Sequence, residues 1–344
     1  MYVLGIETSC DETAAAVVRD GRYVLSNIVA SSLNFHKKYG GIVPEIASRM
    51  QLKTIAGVVD SALTEAGVSL KDLGLVSVTS GPGLLGSLVV GISFAKSISL
   101  SLGIPILGIN HLHSHIYSNY LNGAVPDLPF IALVVSGGHT SLYSVKDFDK
   151  IRLIGSTYDD ACGEAFDKVA KILGLGYPGG PIIEKLAKKG NPGKIKFRCS
   201  DTDEPFAFSF SGIKTGVLYY VKKQPSIVSH KSSDKKTHRP LTIDHRLQCD
   251  IAASFEEAVI DVLIKKSFLA CGVKRIKRLV VGGGVAANNL LRERFFQKAK
   301  KENISVYFPK KEFCMDNAAM VAGLGYKLFR KGKTSSLYLN ADLE

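Results

Sequence analysis

Cysteine is sparse and unpatterned: Cys10, Cys162, Cys199, Cys249, Cys271 and Cys314 are scattered along 344 residues with no CxxC pair. That removes the spacing a disulfide framework or a zinc ribbon needs and leaves reduced thiols as the expectation. Long uninterrupted apolar runs are missing too. The richest, residues 84–107, is broken by Lys96 and by glycines, and reads as a buried helix rather than a membrane span. Met1-Tyr2-Val3-Leu4-Gly5 enters a strand pattern at once, with no charged segment and cleavage site before it. These absences point to a cytoplasmic protein with no membrane contact. The chain also lacks a GxGxxG fingerprint and any compact RNA-binding motif. A dinucleotide fold is therefore disfavoured, and contact with nucleic acid would have to come from surface charge.

What is present is enough chain for two lobes, each with its own core. The net charge of +13 is unevenly placed. Residues 1–130 carry 8 Lys and Arg against 9 Asp and Glu, whereas residues 131–344 carry 36 against 22. A basic half beside a neutral one suggests a face that meets a polyanion, most simply nucleic acid. Lysines that merely solvate helix surfaces are the plain alternative.

Hydrophobic periodicity predicts strands at residues 2–7, 14–19 and 23–28, a helix over 44–66, a strand at 75–79, a helix ending near 102, a strand at 104–109 and a helix starting near Asn110. From Pro129 the order begins again. Strands are expected at 130–135, 141–145 and 151–156, then helices near 161–173, 182–188, 212–223 and 251–270. A strand at 279–281, a helix at 286–300, a short strand at 306–308 and a last helix at 316–329 complete the pattern. This duplication, an α/β arrangement with a strand hairpin opening each half, is the plan of the actin-like ATPase (ASKHA) fold, whose lobes clasp a nucleotide. The expected lobes are residues 1–129 and 130–315, with the segment 316–344 packing back on the first. Residues 224–246 are polar, basic and unpatterned, and read as an exposed insertion.

Chemistry is concentrated in a few loops. In Gly5-Ile6-Glu7-Thr8-Ser9-Cys10-Asp11-Glu12-Thr13, backbone N–H groups and the hydroxyls of Thr8, Ser9 and Thr13 are candidates to hold anionic oxygens. Asp11 and Glu12 are candidates to take a proton or help hold a cation. Ser136-Gly137-Gly138-His139-Thr140 is the matching loop of the second half, its glycines permitting close approach to an anion. Gly282-Gly283-Gly284-Val285-Ala286-Ala287-Asn288 suits a nucleotide at a helix N-terminus, with Asn288 reading base or ribose. Tyr177-Pro178-Gly179-Gly180-Pro181 places glycines before another helix.

His111 and His115, in Asn110-His111-Leu112-His113-Ser114-His115, sit one helical turn apart and share a face, as a pair holding one divalent metal would. A zinc protease needs a general-base Glu directly after the first of them; here that residue is Leu112. Asp316, ahead of the last helix, reads either as a helix cap or as the carboxylate completing a His-His-Asp set suited to Fe(II) or Zn(II).

These motifs, with YGGIVPEIASR at 39–49, SGPGLLGSLVVG at 80–91, DDACGEAFDKVAKILGLGYPGGP at 159–181, FSFSGIKTG at 208–216 and CMDNAAMVAGLG near the end, run in order along nearly the whole chain. Together they resemble the bacterial branch of the universal tRNA threonylcarbamoyl-adenosine synthesis family (TsaD), once described as a sialoglycoprotein endopeptidase. The resemblance implies transfer of an L-threonylcarbamoyl group from threonylcarbamoyl-AMP to N6 of adenosine 37 in tRNAs that read codons starting with A. It places metal ligands on His111, His115 and Asp316, with Fe(II) favoured and Zn(II) the alternative. Adenylate contacts fall on Val134, Val135, Ser136, Gly137, Gly138, Asp167, Gly180, Glu184 and Asn288, with an ATP-like nucleotide fitting the same cleft. Ser9 or Glu12 is the candidate to orient the carbamoyl end, and an acidic group of that loop the candidate to take the proton. Implied partners are tRNA, a paralogous actin-like TsaB subunit and the ATPase TsaE. The competing expectations are a metal-dependent endopeptidase and an actin-like ATPase scaffold.

Overall fold

The structure, a computed structural model, describes residues 1–36, 39–123, 125–224 and 243–342; most of the basic insertion, residues 225–242, lies outside the described residues. The first half runs β1 (Tyr2–Glu7), β2 (Glu12–Arg19), β3 (Tyr23–Ser31), α1 (Leu33–His36), α2 (Pro44–Ala66), β4 (Leu73–Gly81), α3 (Leu85–Leu102), β5 (Ile106–Asn110) and α4 (His111–Tyr117). The second runs β6 (Phe130–Val135), β7 (Thr140–Asp147), β8 (Lys150–Ser156), α5 (Cys162–Ile172), α6 (Gly179–Ala187), α7 (Ser211–Lys222) and α8 (His245–Lys274). It ends with β9 (Arg278–Gly282), α9 (Asn289–Glu302), β10 (Ser305–Tyr307) and α10 (Ala318–Phe329).

Each half forms one five-stranded sheet, ordered β3-β2-β1-β4-β5 and β8-β7-β6-β9-β10. Three strands meander antiparallel, and two more join in parallel through helical crossovers. The halves therefore share one topology, strand for strand. β1 and β6 are central and buried on both faces, which explains their continuous apolar reading without alternation.

The packing has five layers. Leu4, Ile6, Val76 and Val78 of the first sheet pack on Ile55, Val59, Leu88 and Ile92 of α2 and α3. Leu133, Val135 and Val281 of the second sheet pack on Val169, Phe255 and Phe295. Between the sheets lies a third core, in which α4 (Ile116, Tyr117) and α10 (Ala318, Val321, Leu324) are sandwiched by Val3, Ala16, Phe130 and Val134. Two glycines allow this close seating. A β-carbon on Gly5 of β1 would stand 2.2 Å from the Ala318 carbonyl oxygen, and one on Gly282 of β9 would stand 2.4 Å from that of His115.

Several boundaries differ from the sequence expectation, each for a local reason. Residues 284–287 form a 3-10 turn and α9 starts at Asn289, because Asn288 is extended and caps it. α8 starts at His245, six residues earlier than expected, with Asp244 as cap. Gly179 and Gly180 lie inside the first turn of α6 rather than before it. α3 is long and apolar enough to cross a membrane by length and composition. It is buried on one face only: Leu88, Ile92 and Ala95 face the sheet while Leu85, Val89 and Leu100 are exposed.

Candidate active site between the two sheets

α4 follows β5 without a loop, and Asn110 caps it by accepting the His113 N–H at 3.0 Å. His111 and His115 consequently project from its first turns, with ring centroids 4.7 Å apart and planes at 81°. The last helix begins one residue later than the capping reading of Asp316 requires: Asn317 is the cap, its Oδ1 accepting the Met320 N–H at 3.0 Å. Asp316 is thereby released to face the histidines. Its Oδ1 lies 3.1 Å from His115 Nε2 and 3.6 Å from His111 Nε2. One donor atom from each of the three residues lies within 4.8 Å of the others. Two imidazole nitrogens and one carboxylate converging on a point form a donor set that fits a divalent transition metal with open positions.

Glu7 was not singled out from the sequence, yet it backs this set. At the end of β1 and 1% exposed, it places Oε2 3.0 Å from His111 Nδ1 and accepts from Thr79 Oγ1 at 2.6 Å. A carboxylate behind a histidine fixes its ring and tautomer for metal binding. His115 Nδ1 is buried with no such partner among the described residues. Burial disfavours the charged imidazole of His111, but the carboxylates of Glu7 and Asp316 outweigh it and raise the His111 pKa to about 9. Burial likewise opposes ionisation of Asp316, and the His111 charge and His115 hydrogen bond hold its carboxyl well below the usual range. A buried acid directly before a polar loop was the only sequence signal for Glu7.

The first hairpin loop is a supporting structure more than an anion cradle. Thr8 Oγ1 donates to the Ser87 carbonyl at 2.9 Å, and Thr13 Oγ1 accepts from Thr54 at 3.2 Å. Both hydroxyls are thus turned inward, contrary to the expectation that they hold substrate oxygens, because both residues are buried. Gln51 of α2 clamps the turn, donating to the carbonyls of Cys10 at 2.9 Å and Glu12 at 3.0 Å. Ser9, 2% exposed, has its Oγ 3.2 Å from His111 Nδ1 and its N–H on Glu7 Oε1 at 2.6 Å. Both contacts place Ser9 beside His111 and Glu7, within the same cluster as the histidine pair. Burial, then the charges of Asp316 and Asp11, raise the Glu12 carboxyl to about 10.

In the second hairpin, Ser136 and His139 bond each other twice, through Ser136 N–H to the His139 carbonyl at 2.8 Å and His139 N–H to Ser136 Oγ at 3.1 Å. Gly137 and Gly138 are exposed, with open space where a β-carbon would stand. Val134 and Val135 are wholly buried in two different cores, so of these residues only the backbone is available to a ligand. His139 is held down to about 4 by burial, with the charges of His111 and His115 adding to the effect.

The other expected contacts form a second group in the second half of the chain. Asp167 accepts the Gly179 N–H at 2.6 Å, tying α5 to the start of α6, and the space over Gly180 is open. Glu184 accepts from Asn289 Nδ2 at 2.5 Å. Asn288 Nδ2 donates to Glu256 Oε1 at 2.7 Å; Glu256, a buried acid in α8, is a second residue the sequence reading missed. Tyr177 feels the charges of both groups: its hydroxyl is pushed up to about 12 by burial, then by Asp167, Asp11, Cys10 and Glu12.

Residues 23–323 match the family described as TsaD, tRNA N6-adenosine threonylcarbamoyltransferase. A protein of that description from Thermosipho africanus is 49% identical over 99% of this chain and 98% of its own length. One from Syntrophus aciditrophicus is 48% identical over 99% and 96%. Among solved structures, HypF of T. kodakarensis superposes with a TM-score of 0.63 at 14% identity, covering 96% of this chain and 48% of HypF. Component A of (R)-2-hydroxyglutaryl-CoA dehydratase from Acidaminococcus fermentans gives 0.54 at 15% identity, covering 97% and 100%. At such identities these likenesses bear on the fold alone, which is the actin-like one that the duplicated sheets display.

Proposed function

Because the chain belongs to the TsaD family of tRNA N6-adenosine threonylcarbamoyltransferases, we propose that it transfers the L-threonylcarbamoyl group of threonylcarbamoyl-AMP to N6 of adenosine 37 in tRNAs reading codons that start with A, releasing AMP. The observation that carries this reading is the meeting of His111 and His115 from the helix after the first sheet with Asp316 from the loop before the last helix. A bound divalent cation, Fe(II) by preference or Zn(II), would supply charge stabilisation to a carbamoyl or phosphoryl oxygen.

The protein's own residues do the rest. Glu7 and Ser9 hold His111 in one orientation. The open backbone at Gly137 and Gly138 lets the phosphate approach the main chain. Asp167, Gly180, Glu184 and Asn288 lie on the second lobe for the nucleoside half. An adenine amine is a weak nucleophile, so the mixed anhydride with AMP provides the leaving group and lobe closure excludes competing water. Glu12, its carboxyl raised by burial and then by Asp316 and Asp11, is the acidic group of the first hairpin assigned to the carbamoyl end. The division into lobes at residues 1–129 and 130–315, with the tail returning to the first, belongs to the same proposal, as do a TsaB-like subunit and a TsaE-like ATPase as partners.

An endopeptidase reading is disfavoured, because the residue after His111 is Leu112, seated in the core between the sheets. The decisive experiment combines this protein and its partners with tRNA and threonylcarbamoyl-AMP and reads N6 modification by mass spectrometry. Modification that disappears with His111→Ala is expected; an unmodified adenosine in the complete wild-type mixture overturns the reading. Its basic half also predicts tRNA affinity that falls steeply with salt.

A further inference from the structure

Both polar atoms of the Asn288 amide are already engaged: Oδ1 accepts the Leu291 N–H at 2.9 Å, capping α9, and Nδ2 donates to Glu256 Oε1 at 2.7 Å. The cap fixes which way the amide points, since only its oxygen can accept from Leu291. Glu256 Oε2 takes no hydrogen bond from any described residue. Glu256 is 2% exposed and lines a cavity of ≈ 240 Å³ between α6, α8 and the start of α9. One oxygen of this cavity-lining carboxylate is thus committed to Asn288, and the other is left for a donor that a ligand would carry.

The cavity wall says what kind of ligand. Four glutamates, Glu184, Glu256, Glu257 and Glu293, line the cavity together with apolar Ala187, Pro192 and Leu290. Its one lysine, Lys188, is drawn to Glu184 at 3.5 Å. Such a wall repels phosphate and accepts a flat ring that carries hydrogen-bond donors. The phosphate end of a nucleotide lodged here is left to the open glycine backbone of the second hairpin. Resting on the adenylate reading given above, we propose that Glu256 reads the 6-amino edge of the nucleobase and that Asn288 is the positioning residue that aims it. Burial raises the Glu256 carboxyl to about 7, so it accepts fully from an amino group only in mildly alkaline solution.

The test measures binding of AMP and IMP, which differ in a 6-amino against a 6-oxo group, to the full-length protein by calorimetry at pH 8.5. Wild type should prefer AMP by about tenfold or more, the scale of one hydrogen bond to a charged group. In Glu256→Gln the side-chain amide donates where the carboxylate accepted, so the preference should reverse toward IMP; in Glu256→Ala it should collapse to near one. Thermal midpoints of the variants check that they are folded. A wild-type protein that does not discriminate, or a Glu256→Gln variant that keeps the wild-type ratio, overturns the inference. So does parallel weakening of both nucleotides in the variants, which is the signature of a purely structural glutamate. Failure of wild type to bind either nucleotide would instead count against the adenylate reading itself and take the inference with it.

Discussion

Glu7 Oε2 and His111 Nδ1 lie 3.0 Å apart, joining the end of the first strand to the first residue of the helix that carries the histidine pair. They are 104 positions apart in sequence, and both are buried. The carboxylate therefore sets the orientation of one metal-facing imidazole before any cation arrives. Glu7→Gln keeps the shape and removes the charge. Metal affinity should fall roughly 10- to 100-fold, the usual effect of losing such an outer partner, while the fold persists. Titration of the metal-free variant with Zn(II), read by competition with a chromogenic chelator, checks this; unchanged affinity would remove Glu7 from the site.

The same pair makes metal binding pH-dependent. With no metal bound, His111 is raised to about 9, so at pH 7.5 it is charged. A ligand nitrogen must be neutral, so binding displaces its proton. Apparent affinity should thus rise with pH until about 9 and then level off. Calorimetry at pH 7.5 in two buffers of different ionisation enthalpy should report about one proton released per metal. Zero release at that pH would mean that His111 is neutral in the metal-free protein.

Asn317 and Asp316 divide two tasks that the sequence left open for Asp316 alone. Since Asn317 caps α10, Asn317→Ala should lower stability by about 1 kcal/mol and loosen the Asp316 carboxylate, weakening metal binding as well. Asp316→Ala should abolish metal binding with a smaller effect on the melting temperature. Denaturant unfolding and metal titration of both variants separate the tasks. Equal stability losses would put the cap on Asp316 after all.

The duplicated topology was legible because each half repeats the same local grammar: a strand, a polar loop, two more strands, then alternating helices and strands. The histidine pair was legible because i,i+4 spacing on one helix needs no tertiary information. Glu7, Glu256 and the inward turn of Thr8 and Thr13 were not, because what a side chain on a loop, a central strand or a long buried helix meets depends on what the other elements bring near it. Helix starts failed for a related reason. A capping side chain such as Asp244 or Asn317 is recognised only once its backbone is seen to be non-helical and its oxygen to accept an N–H of the first turn, and sequence alone offers several candidate caps within one turn.

Close seating of helices on strands should make Gly5 and Gly282 intolerant of side chains. A β-carbon at either would lie within 2.4 Å of a backbone oxygen, which no rotamer change relieves. Gly282→Ala must push the second sheet away from α4 and so from His115; overpacking of this kind costs about 1–3 kcal/mol. It should also reduce metal affinity, whereas Gly272→Ala, where nothing stands within 4 Å, should do neither. Thermal melts and metal titrations of the two variants decide it, and indistinguishable behaviour would contradict the seating described.

Glu256 gives stability its own pH dependence. Its carboxyl titrates near 4.5 when unfolded and near 7 when folded, with burial the main cause. Between those values the folded protein holds a proton that the unfolded chain has lost, so stability falls as pH rises. The cost is absent below about 4.5 and complete above about 7. Glu256→Gln removes the titration while preserving the acceptor for Asn288. The variant should therefore gain on wild type by about 1–3 kcal/mol between pH 4.5 and pH 8, measured by urea unfolding of both proteins at each pH. Titrating groups that do not interact with Glu256 cancel in the difference. A gap that stays constant across this window would mean that Glu256 is ionised in the fold at an ordinary pKa, and would leave its burial beside Asn288 without an electrostatic cost.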